Sequence, residues 1–224
     1  MSDGNYVLYT GAGYMDLSAV MGKTIFAGMT GNYTVSIDIC VGATNSLASF
    51  CWVYAFTNGT SQYIGLINTA GNANWYYEIK NGSTQSVKSN AGLATGKWHT
   101  LTYVQNGTIG IIYVDGVAKT TATISMQPSS FASTITGSYI GRSPFTGDAM
   151  LNNAFVDNFN IYNTALTTVQ VAALYNNIKD KAVTTNATVT TNITRVWEST
   201  GNPIVTHKYT GDPAAMVYRD TLFI

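Results

Sequence analysis

Aromatic side chains interleaved with amides are the residues of this sequence best suited to chemistry. The run 72–77 reads Asn-Ala-Asn-Trp-Tyr-Tyr, and Tyr63 stands in the preceding apolar run. Flat rings pack against the C–H faces of sugars, while Tyr hydroxyl, Trp N–H and amide groups supply polar contacts. Trp75, Tyr76 and Tyr63 are therefore candidate carbohydrate contacts. The alternative is that aromatic residues at period two form the core of a β-sandwich.

These side chains must be positioned by strands, in which successive residues point to opposite faces. Alternation then places Trp75 and Tyr77 on one face and Tyr76 on the other. The same rule predicts that the aromatic residues at positions 50, 52, 54 and 56 share one face.

Short apolar runs separated by Gly, Asn, Ser and Thr clusters predict an all-β sandwich or barrel. Asn106-Gly107 lies between two β-rich runs and predicts a hairpin. The predicted strands are 33–41, 50–56, 63–68, 75–80, 98–104, 109–114, 138–142 and 154–162.

One short helix is predicted after the last of these strands. Thr167 and Gln170 have the spacing of a capping box, in which each side chain satisfies the other's backbone N–H. Leu166, Val169 and the Ala173-Leu174 pair would form a narrow apolar stripe facing the sandwich.

The charge balance excludes several classes of partner. Eleven basic residues balance eleven acidic ones, and charged residues make up only 10% of the chain. Nucleic acids and anionic membrane surfaces require clustered positive charge, which the sequence lacks. No apolar run approaches the roughly 20 residues of a membrane span, and no signal peptide opens the chain. The two histidines, His99 and His207, stand apart, which argues against a zinc site.

Cys40 and Cys51 are the only cysteines and lack metal-ligand spacing. A hairpin between them could permit a disulfide, but the required geometry is demanding. Two half-buried free thiols are the favoured interpretation.

Several motifs in the first three quarters of the chain occur in a recognisable order. They are Trp98-His99, Tyr-Val-Asp-Gly at 113–116, Tyr-Ile-Gly-Arg at 139–142, and the run 155–166 ending in Tyr-Asn-Thr-Ala-Leu. Together they resemble the laminin-G-like, concanavalin A-like jelly-roll module. The resemblance implies a jelly-roll sandwich over residues 1–178.

This resemblance has two further implications. Many such modules hold one structural Ca²⁺, for which Asp157, Asp16 and Asp38 are the candidate ligands. Such modules also usually begin with a strand that precedes the start of this chain and lies beside the strand matching 154–162. We therefore expect the first strand to be missing and the sheet edge at 154–162 to be exposed, which would promote self-association.

A second resemblance concerns the end of the chain. The run Tyr-Thr-Gly-Asp-Pro-Ala-Ala-Met-Val-Tyr at 209–218 resembles the opening strand of family 43 glycoside hydrolases, which are five-bladed propellers acting on arabinan- and xylan-type glycans. It implies that Asp212 is the general base of a parent enzyme. The acid, a Glu of a later blade, is absent, so this chain alone is expected to be inactive.

The sequence thus predicts three segments. A sandwich over 1–178 is followed by an extended linker over 179–201 and a truncated first propeller blade over 202–224, in which two short strands flank the turn at Arg219-Asp220. Bacterial laminin-G-like modules often accompany family 43 catalytic domains.

The chain is therefore interpreted as an accessory, carbohydrate-binding module of a secreted glycosidase. Its partners would be plant-type polysaccharides and the parent's own propeller. A protein-interaction or adhesion module and a structural spacer are the alternatives.

Overall fold

The computed structural model of the chain describes residues 8–10, 13–21, 23–42, 47, 50–69, 73–177, 216–218 and 221–223. The chain divides into two compact units, one formed by residues 6–185 and the other by residues 1–5 with 186–224.

The larger unit is a jelly-roll sandwich of two antiparallel six-stranded sheets, which confirms the predicted fold class. The first sheet has the order β1-β12-β3-β8-β9-β10, and the second has the order β2-β11-β4-β5-β6-β7. The strands of the first sheet are β1 (Leu8–Thr10), β3 (Asn32–Val41), β8 (Trp98–Asn106), β9 (Ile109–Val114), β10 (Val117–Thr123) and β12 (Ala154–Tyr162). The strands of the second sheet are β2 (Met15–Asp16), β4 (Cys51–Asn58), β5 (Gln62–Asn68), β6 (Trp75–Asn81), β7 (Ser83–Ser89) and β11 (Gly137–Ile140).

Three helical segments complete this unit. The α-helices are α1 (Lys23–Ala27) and α2 (Thr168–Asn176), and a 3₁₀ helix spans Pro128–Thr134. Only α2 carries the predicted capping box, in which Thr167 accepts from the backbone N–H of Gln170 and the Gln170 side chain accepts from the backbone of Thr167. The prediction of a single helix is wrong because α1 and the 3₁₀ helix are short connections without such a signal.

The core lies between the two sheets and is filled by the inward-facing residues of both. Large aromatic side chains dominate it, because one ring excludes more apolar surface from water than an aliphatic side chain. Tyr77 and Tyr103 stack across the two sheets with ring centroids 3.4 Å apart. The hydroxyls of Tyr33 and Tyr77 lie 2.5 Å apart, so the two polar groups satisfy each other within the core.

A β-bulge in β4 overturns the predicted common face of the aromatic residues at 50–56. Trp52 pairs with Ile67 but Tyr54 pairs with Leu66, so one residue of β4 is unpaired. Val53 and Tyr54 both face the core, while Trp52 faces outward. Strict alternation therefore fails at Trp52, whose ring faces outward.

The buried face of α2 also differs from the predicted stripe. Val171 is fully buried against Val104 and Tyr113, whereas Val169 is 79% exposed. A Cβ atom at Gly116 would lie 2.8 Å from the Cα of Ala172, so this glycine lets the helix approach the β9–β10 hairpin closely. Val171, the chain neighbour of Ala172, faces inward at this contact.

The sheet edge at β12 is partly covered. β1 pairs with β12 from Leu8↔Val156 to Thr10↔Ala154. The expectation of a wholly unpaired edge is therefore wrong for Ala154–Val156. Self-association through the remainder of β12 stays a prediction.

The two cysteines are free thiols, as the sequence interpretation favoured, but both are fully buried rather than half-buried. Cys40 lies in β3 of the first sheet and Cys51 in β4 of the second. Burial raises the pKa of the Cys40 thiol to about 11 and that of Cys51 to about 12.

We expect neither cysteine to react with a thiol-specific disulfide reagent at pH 8 while the chain is folded. Both access and thiolate formation are suppressed, since the thiolate is the nucleophile. Both should react rapidly in denaturant. Stoichiometric labelling of the native chain within minutes would contradict this arrangement.

The smaller unit contributes one described feature. β13 (Met216–Tyr218) pairs antiparallel with β14 (Thr221–Phe223), and Tyr218 lies opposite Thr221. The predicted pair of short strands is confirmed. The 179–201 linker and Asp212 lie outside the described residues.

Candidate functional site

A cleft lies on the outer face of the second sheet. It has a volume of about 580 Å³ and lies over β4, β5, β6 and β7. Residues that line it are Phe50, Trp52, Tyr63, Ile67, Thr69, Asn74, Tyr76, Glu78, Lys88, Phe145 and Asp148. A few polar groups thus stand among aromatic rings, as is typical of small-molecule sites.

The floor of the cleft is a cluster of three rings. Trp52 meets Tyr63 edge to face with centroids 5.3 Å apart, and Phe145 meets Tyr63 at 5.6 Å. Trp52 and Tyr63 are almost fully buried, at 2% and 3% exposed. Phe145 also contacts Trp52, with centroids 6.2 Å apart, so each ring of the floor packs against the other two.

Gly65 leaves the space that the Trp52 ring occupies in the cleft floor. It lies in β5 opposite Ala55 of β4 and Glu78 of β6. A Cβ atom at Gly65 would lie 2.3 Å from Cζ3 of Trp52 and 2.7 Å from the carbonyl oxygen of Tyr54. Only glycine at this position allows the indole to lie across the outer face of the sheet.

Two carboxylates are held in place by donors from the cleft itself. Asp148 Oδ2 accepts hydrogen bonds from Trp52 Nε1 at 3.0 Å and from Ser143 Oγ at 2.6 Å. Glu78 Oε1 accepts from the Tyr63 hydroxyl at 2.6 Å. Burial raises the pKa of Tyr63, and its bond to Glu78 raises it further, so this hydroxyl remains a donor at neutral pH.

The rim of the cleft carries the rings that a ligand could reach. Tyr76 is partly exposed, and the Lys88 ammonium lies 4.7 Å from its ring centroid. Phe50 is 55% exposed and has a left-handed backbone with φ of 58°. A phenylalanine is uncommon in that conformation, and such residues concentrate at functional sites.

The structure separates the three sequence-predicted carbohydrate contacts. Trp75 is fully buried between the sheets, so its assignment as a sugar contact is corrected to a core residue. Tyr63 lies in the cleft floor and Tyr76 at its rim. Tyr76 lies directly opposite Ile67 of β5 and Lys88 of β7.

Sequence reasoning missed the residues that the Phe145 loop brings to the cleft. Phe145 and Asp148 belong to the connection between β11 and β12, far from 72–77 in sequence. The sequence identifies Trp52 only as one of the period-two aromatics. Asp148 stands between Gly147 and Ala149 in a long connection, so no periodic signal could have revealed this contribution.

The candidate calcium ligands are not brought together. Asp16 is exposed in β2 of the second sheet, whereas Asp157 and Asp38 lie opposite each other in β12 and β3 of the first. Asp38 accepts hydrogen bonds from the Thr100 hydroxyl and the Asn158 amide. No group of three or more metal-binding side chains occurs in the described ranges. A calcium ion stays a prediction.

The remaining predicted residues lie elsewhere. His99 Nδ1 contacts Asp115 at 2.8 Å and Nε2 contacts the Ala94 carbonyl at 3.0 Å, so this histidine has a structural role in the first sheet. His207 and the would-be general base Asp212 lie outside the described residues.

The sequence profile of the concanavalin A-like lectin/glucanases superfamily, in its laminin-G form, matches residues 10–172. The chain belongs to this superfamily. The match covers every strand of both sheets except the first two residues of β1, and so includes every strand that contributes to the cleft.

Several solved structures share the fold of this chain at low sequence identity. The Ruminococcus gnavus IT-sialidase CBM40 bound to α2,3-sialyllactose is 13% identical with a TM-score of 0.62, and the match covers 76% of this chain and 97% of that one. Domain 4 of AbnA, a GH43 extracellular arabinanase from Geobacillus stearothermophilus in complex with arabinotriose, is 18% identical with a TM-score of 0.52, covering 65% and 66%. NanB sialidase of Streptococcus pneumoniae is 16% identical with a TM-score of 0.59, covering 75% and 27%.

The chain therefore spans less than two thirds of the length of the AbnA domain and about a quarter of NanB. No curated protein is significantly similar to it in sequence. Among the described residues, the helices are too short or too polar to cross a bilayer.

Proposed function

We propose that the chain is a carbohydrate-binding module and that the cleft on the second sheet is its glycan site. One observation carries the proposal: the partly exposed ring of Tyr76 and the exposed ring of Phe50 stand over a cleft whose floor is a cluster of packed rings and whose carboxylates are held by hydrogen bonds. Sugars offer alternating apolar C–H patches and hydroxyls, and this cleft offers a match for both.

The exposure of each side chain indicates which residues of the cleft would contact a glycan. Tyr76 and Phe50 would pack on a sugar ring, while Glu78, Asp148 and Asn74 would accept or donate to its hydroxyls. Trp52 and Tyr63 would not contact the ligand over much area, but they fix the positions of the two carboxylates. Preorganised acceptors lose little entropy on binding, which favours even a small ligand.

The parent protein is proposed to be a secreted family 43 glycosidase acting on arabinan- or xylan-type polysaccharides. The motif at 209–218 supports this, since it supplies Asp212 at the position of that family's general base. The AbnA domain and the CBM40 module are relatives in fold whose own ligands are arabinotriose and sialyllactose. In this proposal the chain binds the polymer and holds the enzyme close to it. A structural Ca²⁺ bound at Asp157 or Asp16 is part of the same proposal.

Replacing Tyr76 with alanine should weaken glycan binding by roughly thirtyfold, equivalent to about 2 kcal/mol for a central aromatic contact. Isothermal titration and affinity electrophoresis with arabinan and arabinoxylan would measure the effect. Tyr162→Ala is the matched control, because Tyr162 is a partly exposed tyrosine of the first sheet. Equal affinities of the wild type and Tyr76→Ala would refute the assignment of this cleft.

A further inference from the structure

Three Asn-Gly pairs occur in the sequence, and each stands where a strand of the sandwich ends in a hairpin. They are Asn58-Gly59 between β4 and β5, Asn81-Gly82 between β6 and β7, and Asn106-Gly107 between β8 and β9. The three glycines have positive φ values, and a Cβ atom built on any of them would meet nothing within 4 Å. The pairs therefore lie in open turns that water can reach.

An Asn-Gly pair in an open turn can react with itself. The glycine nitrogen gives up its proton to a solvent base and attacks Cγ of the asparagine, so that an N–Cγ bond forms. The Cγ–Nδ2 bond breaks, and Nδ2 takes a proton from water and leaves as ammonia. Water then opens the five-membered imide at either carbonyl, which leaves aspartate or isoaspartate. Glycine favours this reaction because it has no Cβ atom to hinder the approach.

The amide of Gln62 connects the first two of these pairs. Asn58 Nδ2 donates to Gln62 Oε1 at 3.1 Å, and Gln62 Nε2 donates to Asn81 Oδ1 at 2.9 Å. The Thr134 hydroxyl also lies 2.7 Å from Gln62 Oε1. All three amide side chains are half-buried. Their bonds hold each asparagine side chain toward Gln62, whereas cyclisation requires that side chain to rotate over its own glycine nitrogen.

At the third pair the attacking nitrogen is held instead of the side chain. Asn106 is exposed, and it pairs with Asn32 across β8 and β3. The backbone N–H of Gly107 donates to Asn32 Oδ1 at 3.0 Å. An N–H in a hydrogen bond is harder to deprotonate, because the bond is lost with the proton. Asn32 therefore opposes the first step of the reaction at this hairpin.

We propose that Asn58, Asn81 and Asn106 are sites of spontaneous deamidation and that two side chains restrain the reaction in the folded chain. Gln62 restrains it at the first two sites by holding their side chains, and Asn32 restrains it at the third by holding the attacking nitrogen. All three asparagines are paired strand residues, and isoaspartate adds an atom to the backbone. Its formation therefore disturbs the strand register at the hairpin. The reaction needs only water, so it is independent of any glycan.

Peptide mass spectrometry of the full chain, incubated in mildly alkaline buffer, measures the deamidation rate at each site. Gln62→Met removes the amide and keeps the length of the side chain. It should accelerate the reaction at positions 58 and 81 by roughly three- to tenfold, as the loss of one hydrogen bond implies, and leave position 106 unchanged. Asn32→Ala should accelerate position 106 by a similar factor and leave the other two unchanged. In concentrated urea the three sites should react at similar rates in every variant.

Two conservative variants separate a lost hydrogen bond from a loosened hairpin. Gln62→Glu can accept from both asparagine amides, and Asn32→Asp can still accept from the Gly107 N–H, so all three sites should react as slowly as in the wild type. Faster reaction in these two variants would overturn the proposal, as would acceleration of all three sites by Gln62→Met or Asn32→Ala. Rates that neither of the latter variants changes would overturn the restraint, and an absence of deamidation in urea would overturn the sites themselves.

Discussion

Gly65→Ala should abolish measurable glycan binding and lower the free energy of unfolding by about 1–3 kcal/mol, the usual cost of overpacking. The added Cβ would lie 2.3 Å from the Trp52 ring and 2.7 Å from the Tyr54 carbonyl oxygen. The carbonyl belongs to the strand ladder and cannot retreat without breaking pairing. The indole must therefore move, and Asp148 loses its Nε1 donor.

Gly147→Ala is the matched control for this change. Gly147 lies in the Phe145 loop, and a Cβ atom there meets nothing within 4 Å. It should keep both stability and binding. Urea denaturation gives the first quantity and titration with an arabinoxylan oligosaccharide gives the second. A Gly65→Ala chain that binds as tightly as the wild type would show that the position of Trp52 does not matter to the site.

Alkaline unfolding is the second large effect that we expect. Burial raises the pKa values of Tyr33, Tyr54, Tyr77 and Tyr103 well above the ordinary value of 10. Between the unfolded and folded pKa values the folded state binds more protons, so stability falls as pH rises. Each such group costs about 1.4 kcal/mol per pH unit above pH 10. The four tyrosines together lower the free energy of unfolding by about 5–6 kcal/mol per pH unit, whereas the total stability of a domain is about 5–15 kcal/mol.

The chain should therefore remain folded to about pH 10.5 and unfold cooperatively between about pH 11 and 12. Absorbance at the tyrosinate band should show one group of tyrosines titrating freely and a second group ionising only with loss of the circular dichroism of the sheets. Free titration of all 15 tyrosines at pH 10 in a folded chain would contradict the packing described.

Tyr54→Phe removes one of the four buried hydroxyls and keeps the ring. The Tyr54 hydroxyl is buried without a hydrogen-bond partner in the described residues. Its removal should raise the free energy of unfolding by about 1 kcal/mol, because an unsatisfied buried group is costly. It should also move the alkaline midpoint upward, since one ionisable group is gone.

The fold was largely predictable because its strands are long and periodic. The runs that became β3 and β8 alternate apolar and polar residues, the run that became β9 is continuously apolar after a hairpin signal, and all eight predicted strands occur. β7 and β10 were missed for a physical reason. Both are edge strands rich in Ser, Thr and Lys, with few residues packed on the core, so they lack the apolar alternation that marks a central strand.

The site was only partly predictable. Residue type alone identified Tyr76 and Tyr63 as members of the site. It could not decide between Trp75 and Trp52, because that requires knowing which of the two indoles faces outward. The bulge at Val53 reverses the phase of β4 and turns Trp52 outward. The long connection that brings Phe145 onto Trp52 is a tertiary contact, and local patterning carries no information about it.

The most direct test of the glycan site is an NMR titration of the ¹⁵N-labelled chain with an arabinoxylan oligosaccharide. The account predicts saturable shifts of the Trp52 indole N–H and of the amides around Tyr76 and Phe145, with β9 and β10 unaffected. Shifts confined to the first sheet, or an unperturbed Trp52 resonance at saturation, would contradict it.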